Sequence, residues 1–134
     1  MNSMPRKSFM ASDTGKAYAV GPMSALFKTD NVEANGVSEC WLEANTRGPE
    51  AHSQNDGDVF YVLGGVMSFL IGEEWVDAPK ASLVFVPSQV SHVFENRGSV
   101  RAGILNFSSA ENFKKYMPDM LEWYQENSPG KAGF

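Results

Sequence analysis

The chain has 134 residues, a formal net charge of −5 and a pI near 4.9; this length suits one domain, and this charge argues against nucleic acid or an anionic membrane as the main partner, since both attract a basic face. Apolar residues make up 43% and charged residues 20%, the balance of a folded globular protein, and the longest apolar run (residues 59–67) holds two glycines and is far too short to cross a bilayer. The single cysteine, Cys40, excludes an internal disulfide and fits a reducing cytoplasm, and no apolar stretch follows Arg6 and Lys7, so no secretory signal is expected.

Residues 1–14 are polar, rich in Met and Ser and aperiodic, and read as a flexible N-terminal tail. From Lys16 the chain becomes short apolar runs at about 17–20, 23–29, 36–44, 58–63, 66–71, 82–86, 91–95 and 100–107. Glycine and proline part them, as at Gly21-Pro22, Gly48-Pro49, Gly64-Gly65, Pro87 and Gly98. Short runs at near-regular spacing predict an all-β sandwich or barrel over residues 15–108. Gly64-Gly65 suits a two-residue primed turn, which predicts a hairpin pairing Leu63 with Val66, Val62 with Met67, Phe60 with Phe69 and Asp58 with Ile71. Alternation then puts Asp58, Phe60, Val62, Met67, Phe69 and Ile71 on one face. Asp58 is the odd member, because a carboxylate buried there without a partner costs several kcal/mol; a nearby cation resolves it. Trp41 alternates with Glu39 and Glu43, which points outward or to an interface, Cys40 beside it reads as an inert buried thiol, and Trp75 falls in a further hairpin.

Residues 109–134 read as a C-terminal helical segment. Ser108 and Glu111 resemble a capping box, and Phe113, Met117, Met120 and Tyr124 recur at helical spacing. Pro118 predicts a break into two short helices, with Lys114 and Lys115 on a solvated face. Such a tail most simply covers an open edge or end of the sheet.

The candidate chemistry rests on few residues. The chain has two histidines, His52 and His92. His52 lies six residues before Asp58, in a loop entering the same strand, and Gln54 points the same way as His52 in an extended segment. The four residues converge if the strands at 58–63 and 91–95 lie close inside one barrel. Two neutral imidazoles and a carboxylate are the ligand set of non-haem iron oxygenases, with positions open for substrate and oxygen; Gln54 adds a neutral amide oxygen. Each residue also has a plainer reading. His52 is then a surface loop histidine, His92 a hydrogen-bonded barrel histidine, Asp58 a strand-start residue in a turn, and Gln54 a group facing water. Asp56 reads as a turn residue and Asn96 as structural. Phe60, Met67, Phe69 and Phe94 read as core, or as the wall of a substrate pocket for a flat or apolar small molecule.

The stretch from Gly48 to Gly65 resembles the first motif of the cupins, His-x-His, three or four residues, Glu, six residues, Gly. Here His52 is followed by Gln54 in the second histidine's place, Asp58 in the glutamate's and Gly65 in the glycine's. The second motif, Pro-x-Gly, two residues, His, three residues, Asn, is matched by Pro87, Gln89 in place of glycine, His92 and Asn96. The motifs and their short link cover about residues 48–98, as in compact single-domain bacterial cupins. The resemblance implies a jelly-roll barrel, a double-stranded β-helix, often as a homodimer. It implies one divalent transition metal (iron, manganese, nickel, copper or zinc) held by His52, Gln54, Asp58 and His92. Gln54 removes one imidazole and Asp58 is one methylene shorter than Glu, so the site is reshaped. The function implied is a metal-dependent enzyme acting on a small organic molecule, most specifically a dioxygenase-like oxidoreductase similar to the quercetin dioxygenases. A lyase or isomerase, and a non-catalytic binder of a small ligand with a degenerate metal site, are the alternatives. Glu50 is the one further candidate base, and this scarcity favours metal-and-oxygen chemistry over proton shuttling.

Overall fold

Alternation of inward apolar and outward polar residues runs through most of the chain between Lys16 and Ser108, and it folds as antiparallel strands. A computed structural model describes residues 12, 15–29, 36–49, 57–108, 122 and 126. Among these the strands are β1 (Lys16–Val20), β2 (Met23–Thr29), β3 (Gly36–Leu42), β4 (Thr46–Arg47), β5 (Asp58–Gly64), β6 (Val66–Ile71), β7 (Glu74–Pro79), β8 (Leu83–Val86), β9 (His92–Asn96) and β10 (Ala102–Ser108). They form a six-stranded sheet, order β1-β2-β3-β10-β5-β8, and a four-stranded sheet, order β4-β9-β6-β7. The inner faces of the two sheets build one core, with Met23, Leu42, Val62 and Ile104 from the larger sheet against Met67 and Phe69 from the smaller. This is the all-β jelly roll the sequence predicts.

One expectation fails in an instructive way. Gly64-Gly65 does not close a hairpin: β5 pairs with β10 and β8, whereas β6 pairs with β7 and β9. The chain leaves one sheet at Gly65 and enters the sheet opposite. Gly65 has φ 67°. A Cβ there would run into the Arg101 carbonyl oxygen and lie 2.9 Å from Ala102 Cα, so only glycine makes this bend over the start of β10. The face assignment survives the wrong pairing, because a bend between facing sheets keeps inward side chains inward. Asp58, Phe60, Val62, Met67 and Phe69 are all buried, and Ile71 is half-buried.

β7 and the two-residue β4 are absent from the predicted runs. In β7 only Ala78 is buried, so this edge strand has no apolar alternation to read. Its pairing with β6 does form the hairpin expected around Trp75, turning at Gly72 with φ 63°. Gln89, in the second motif's glycine place, keeps the left-handed backbone of a glycine, with φ 62°. That conformation costs a residue with a Cβ about 1–2 kcal/mol, so Gln89→Gly is expected to raise the urea midpoint. The expected N-terminal tail, apart from Ser12, lies outside the described residues. So do the expected C-terminal helices, apart from Glu122 and Glu126, which are helical. Among the described residues no helix is long and apolar enough to cross a membrane.

Candidate metal centre

Asp58 opens β5 on the inner face of the larger sheet, where Val86 of β8 and Ser108 of β10 stand opposite it. His92 opens β9 on the inner face of the smaller sheet, opposite Ile71. The two strands approach across the barrel as the sequence required. His92 Nε2 lies 3.5 Å from Asp58 Oδ2, and each side chain is 4% exposed.

The hydrogen bonds around this pair define its chemistry. His92 Nδ1 is 3.2 Å from the Val90 carbonyl oxygen. A carbonyl only accepts, so the Nδ1 hydrogen points there, and in the neutral ring Nε2 presents a lone pair toward Asp58. Asp58 Oδ1 accepts from Asn106 Nδ2 at 2.7 Å and from the Val59 amide at 3.1 Å. Ser108 Oγ shares its one hydrogen between that oxygen, at 3.2 Å, and Asn106 Oδ1, at 3.1 Å. The second Asn106 amide hydrogen goes to the Val59 carbonyl at 3.1 Å. Asp58 Oδ1 is therefore held by three donors, and Oδ2 is the oxygen offered to His92. A carboxylate oxygen and an imidazole lone pair at this distance both accept, so a proton or a cation belongs between them. Two donors bound to one ion at about 2.1 Å each and at a tetrahedral angle lie roughly 3.4 Å apart. Oxygen and imidazole nitrogen are ligands for a divalent transition metal, and the pair fits one in chemistry and in spacing.

Aromatic rings lie beside His92. Phe60 meets the imidazole edge-on with centroids 5.8 Å apart, and it packs on Phe69 at 5.2 Å and Phe94 at 6.2 Å. Phe60, Met67 and Phe69 are buried and Phe94 is half-buried, so the expected pocket residues are also core residues. His52 and Gln54 lie outside the described residues. The described ends of their loop flank the pair: Gly48 donates its amide to the Phe94 carbonyl at 2.9 Å, two residues from His92, and the far end is Asp58 itself. Among the described residues no group of three His, Cys, Asp or Glu side chains gathers.

Asn106 and Ser108 escaped the sequence reading. Ser108 resembles a helix cap by its local spacing to Glu111, yet it closes β10 with its hydroxyl on Asp58. The signal was alternation: Ile104, Asn106 and Ser108 share a face that turns from apolar to polar, as the face ending in Asp58 does. Asn96 is structural, as expected. It is 1% exposed, and its Nδ2 faces the carbonyl oxygens of Leu42, Glu43 and Val100 at 3.1, 3.1 and 2.8 Å.

The sequence matches the family model described as "Cupin domain" over residues 40–107. No curated protein matches it significantly. Similar solved structures include one described as a sugar phosphate isomerase from a cupin superfamily, from Silicibacter pomeroyi, with 14% identity, TM-score 0.66 and coverage of 75% of this chain and 74% of that one. The structure of KdgF from Halomonas sp. has 15% identity, TM-score 0.62 and coverage of 75% and 93%. An RmlC-like cupin from Shewanella frigidimarina has 18% identity, TM-score 0.60 and coverage of 75% and 88%. At these identities the likeness is one of fold.

Proposed function

This chain belongs to the cupin family, and from that premise we propose that it is a metal-dependent enzyme acting on a small organic molecule inside the barrel, dioxygenase-like in its reaction. His52, Gln54, Asp58 and His92 would hold the metal, and Phe60, Met67, Phe69 and Phe94 would wall the substrate pocket. The observation that carries the reading is the buried imidazole–carboxylate pair, Asp58 Oδ2 and His92 Nε2, 3.5 Å apart. A divalent transition metal bound there would supply Lewis acidity and a meeting place for substrate and dioxygen. The chain's own residues do the rest. Val90 fixes the imidazole through Nδ1, while Asn106 and Ser108 hold the carboxylate through Oδ1, so both groups present one atom without reorganising. Phe60 and Phe69 exclude water from that side and favour a flat or apolar substrate. The buried thiol of Cys40 suits a reducing compartment, the cytoplasm.

The positioning role of Asn106 has a direct consequence. Asn106→Ala removes the shortest of the three hydrogen bonds that hold Asp58 Oδ1, and metal affinity is expected to fall by about 10–100-fold, the usual cost of losing such an outer partner. Competition with a chromophoric chelator measures it.

A second reading rests on the Silicibacter pomeroyi structure described as a sugar phosphate isomerase: the same pair would move a proton within a sugar-like substrate. Oxygen uptake separates the two. Metal-loaded protein given phenols and 1,3-diketones is expected to consume oxygen along with the substrate, and the His52→Ala/His92→Ala double variant is expected to do neither. Turnover without oxygen uptake would select the isomerase or lyase reading. Full activity in the double variant would remove the metal-enzyme reading, and ligand retention without turnover in the wild type would leave a binding protein.

A further inference from the structure

The inner face of the larger sheet has one opening beside the candidate centre. An inward row crosses the sheet as Phe27, Ser38, Asn106 and Phe60, taken from β2, β3, β10 and β5. Phe27 and Phe60 are buried, whereas Ser38 and Asn106 between them are half-buried. The inward positions next to these two along their strands are buried as well: Gly36 and Ser108 on one side, Cys40 and Ile104 on the other. Accessible surface ringed in this way marks a recess in the barrel wall with room for a small polar group. The recess adjoins the metal pair, because Asn106 Nδ2 is 2.7 Å from Asp58 Oδ1. A group hydrogen-bonded to Asn106 Oδ1 lies within about 10 Å of Asp58 Oδ2, since only bonded and hydrogen-bonded steps of ordinary length separate them.

The polar atoms of the recess specify what it takes. Both Asn106 amide hydrogens are turned toward β5, one to Asp58 Oδ1 and one to the Val59 carbonyl. The amide oxygen is thereby left on the β3 side, where it lies 3.1 Å from Ser108 Oγ and keeps a second lone pair. Ser38 stands across from Asn106 in the register, and the side chains of such a pair start about 4.5–5.5 Å apart. Among the described residues none hydrogen-bonds the Ser38 hydroxyl. The recess therefore offers one O–H and one amide oxygen. A carboxylate or phosphate there sets its lone pairs against Asn106 Oδ1 and its charge toward Asp58. A neutral hydroxyl suits both groups, accepting from Ser38 and donating to Asn106 Oδ1. We propose that Ser38 is a specificity-determining residue, and that the substrate carries a neutral alcoholic or phenolic hydroxyl seated between Ser38 and Asn106. The inference rests on the proposed binding of a small molecule inside the barrel, and it adds the group by which that molecule is selected. Phe27 and Phe60 end the row on either side, so a hydroxyl on a small flat skeleton is the form that fits.

Matched ligands test it by isothermal titration of the full chain reconstituted with Zn(II), which is redox-inert and so leaves a bound diketone intact. Benzoylacetone and 4-hydroxybenzoylacetone share a metal-chelating head and differ in one hydroxyl at the far end of the ring. The wild type is expected to bind the hydroxylated ligand about tenfold more tightly, as two satisfied hydrogen bonds provide. The 4-methoxy analogue cannot donate to Asn106 and is expected to bind no more tightly than benzoylacetone. Ser38→Ala is expected to cut the hydroxyl preference to about twofold or less, and Ser38→Thr, which keeps the hydroxyl, to retain it. The ratio of the two affinities is the decisive readout. A wild-type ratio near one, or a Ser38→Ala variant that weakens both ligands equally, overturns the proposal. His92→Ala tells that failure from failure of the site itself. Ligands that bind the wild type, weaken in His92→Ala and ignore the hydroxyl leave the metal centre standing and remove the role of Ser38. Ligands that do not bind the wild type at all overturn both.

Discussion

Asp58→Asn is expected to lower affinity for a divalent metal by more than about 100-fold while the barrel stays folded. The loss exceeds the 10–100-fold cost of removing an outer partner because the charged ligand itself goes. Stability is spared for a specific reason. The asparagine oxygen takes over the place of Asp58 Oδ1 against Asn106, Ser108 and the Val59 amide. Its amide nitrogen then faces His92 Nε2 and donates to the lone pair that the carboxylate confronted at 3.5 Å. The variant satisfies every partner of Asp58 and has no negative charge for a cation. Isothermal titration with metal, beside a urea melt, separates the two effects. Wild-type affinity in Asp58→Asn would contradict the proposed ligand role.

Asn96→Ala is expected to cost about 3–5 kcal/mol of stability, a large share of the 5–15 kcal/mol that a domain has. Asn96 ties the end of β3 to the β9–β10 turn. Its two amide hydrogens serve three backbone carbonyls within 3.1 Å, and its oxygen accepts the Gly98 amide at 2.9 Å. Alanine leaves these backbone groups without a partner in a place that is 1% exposed, and each such group costs about 1–3 kcal/mol. A urea melt reads the loss directly, and a shift below about 1 kcal/mol means that water replaces the side chain.

Much of the barrel was legible because strand alternation states which side a residue faces. It placed Asp58, Phe60, Val62, Met67 and Phe69 inside correctly. It could not state pairing, which depends on contacts far along the chain: Asp58 lies across from Ser108, 50 residues on, rather than from Ile71. A glycine pair between apolar runs looks alike locally in a hairpin and in a crossing between sheets, and the close approach to Arg101 and Ala102 that distinguishes them is long-range. The contact of Ser108 with Asp58 was hidden for the same reason, since its local spacing to Glu111 says nothing of a partner on another strand. The edge strand β7, with Ala78 its one buried residue, had too little burial to leave a pattern. At the candidate centre the spacing of both motifs led to Asp58 and His92, which the barrel brings together. His52 and Gln54 lie outside the described residues, so their proposal as ligands rests on the motif spacing.

The most direct test of the central claim is the metal content of full-length protein purified without a histidine tag, measured by elemental mass spectrometry for the wild type beside His92→Ala. The proposed centre predicts about one transition-metal ion per chain in the wild type and almost none in the variant, as for an imidazole–carboxylate site that loses a ligand. No metal in the wild type after reconstitution, or equal metal in both proteins, would contradict it.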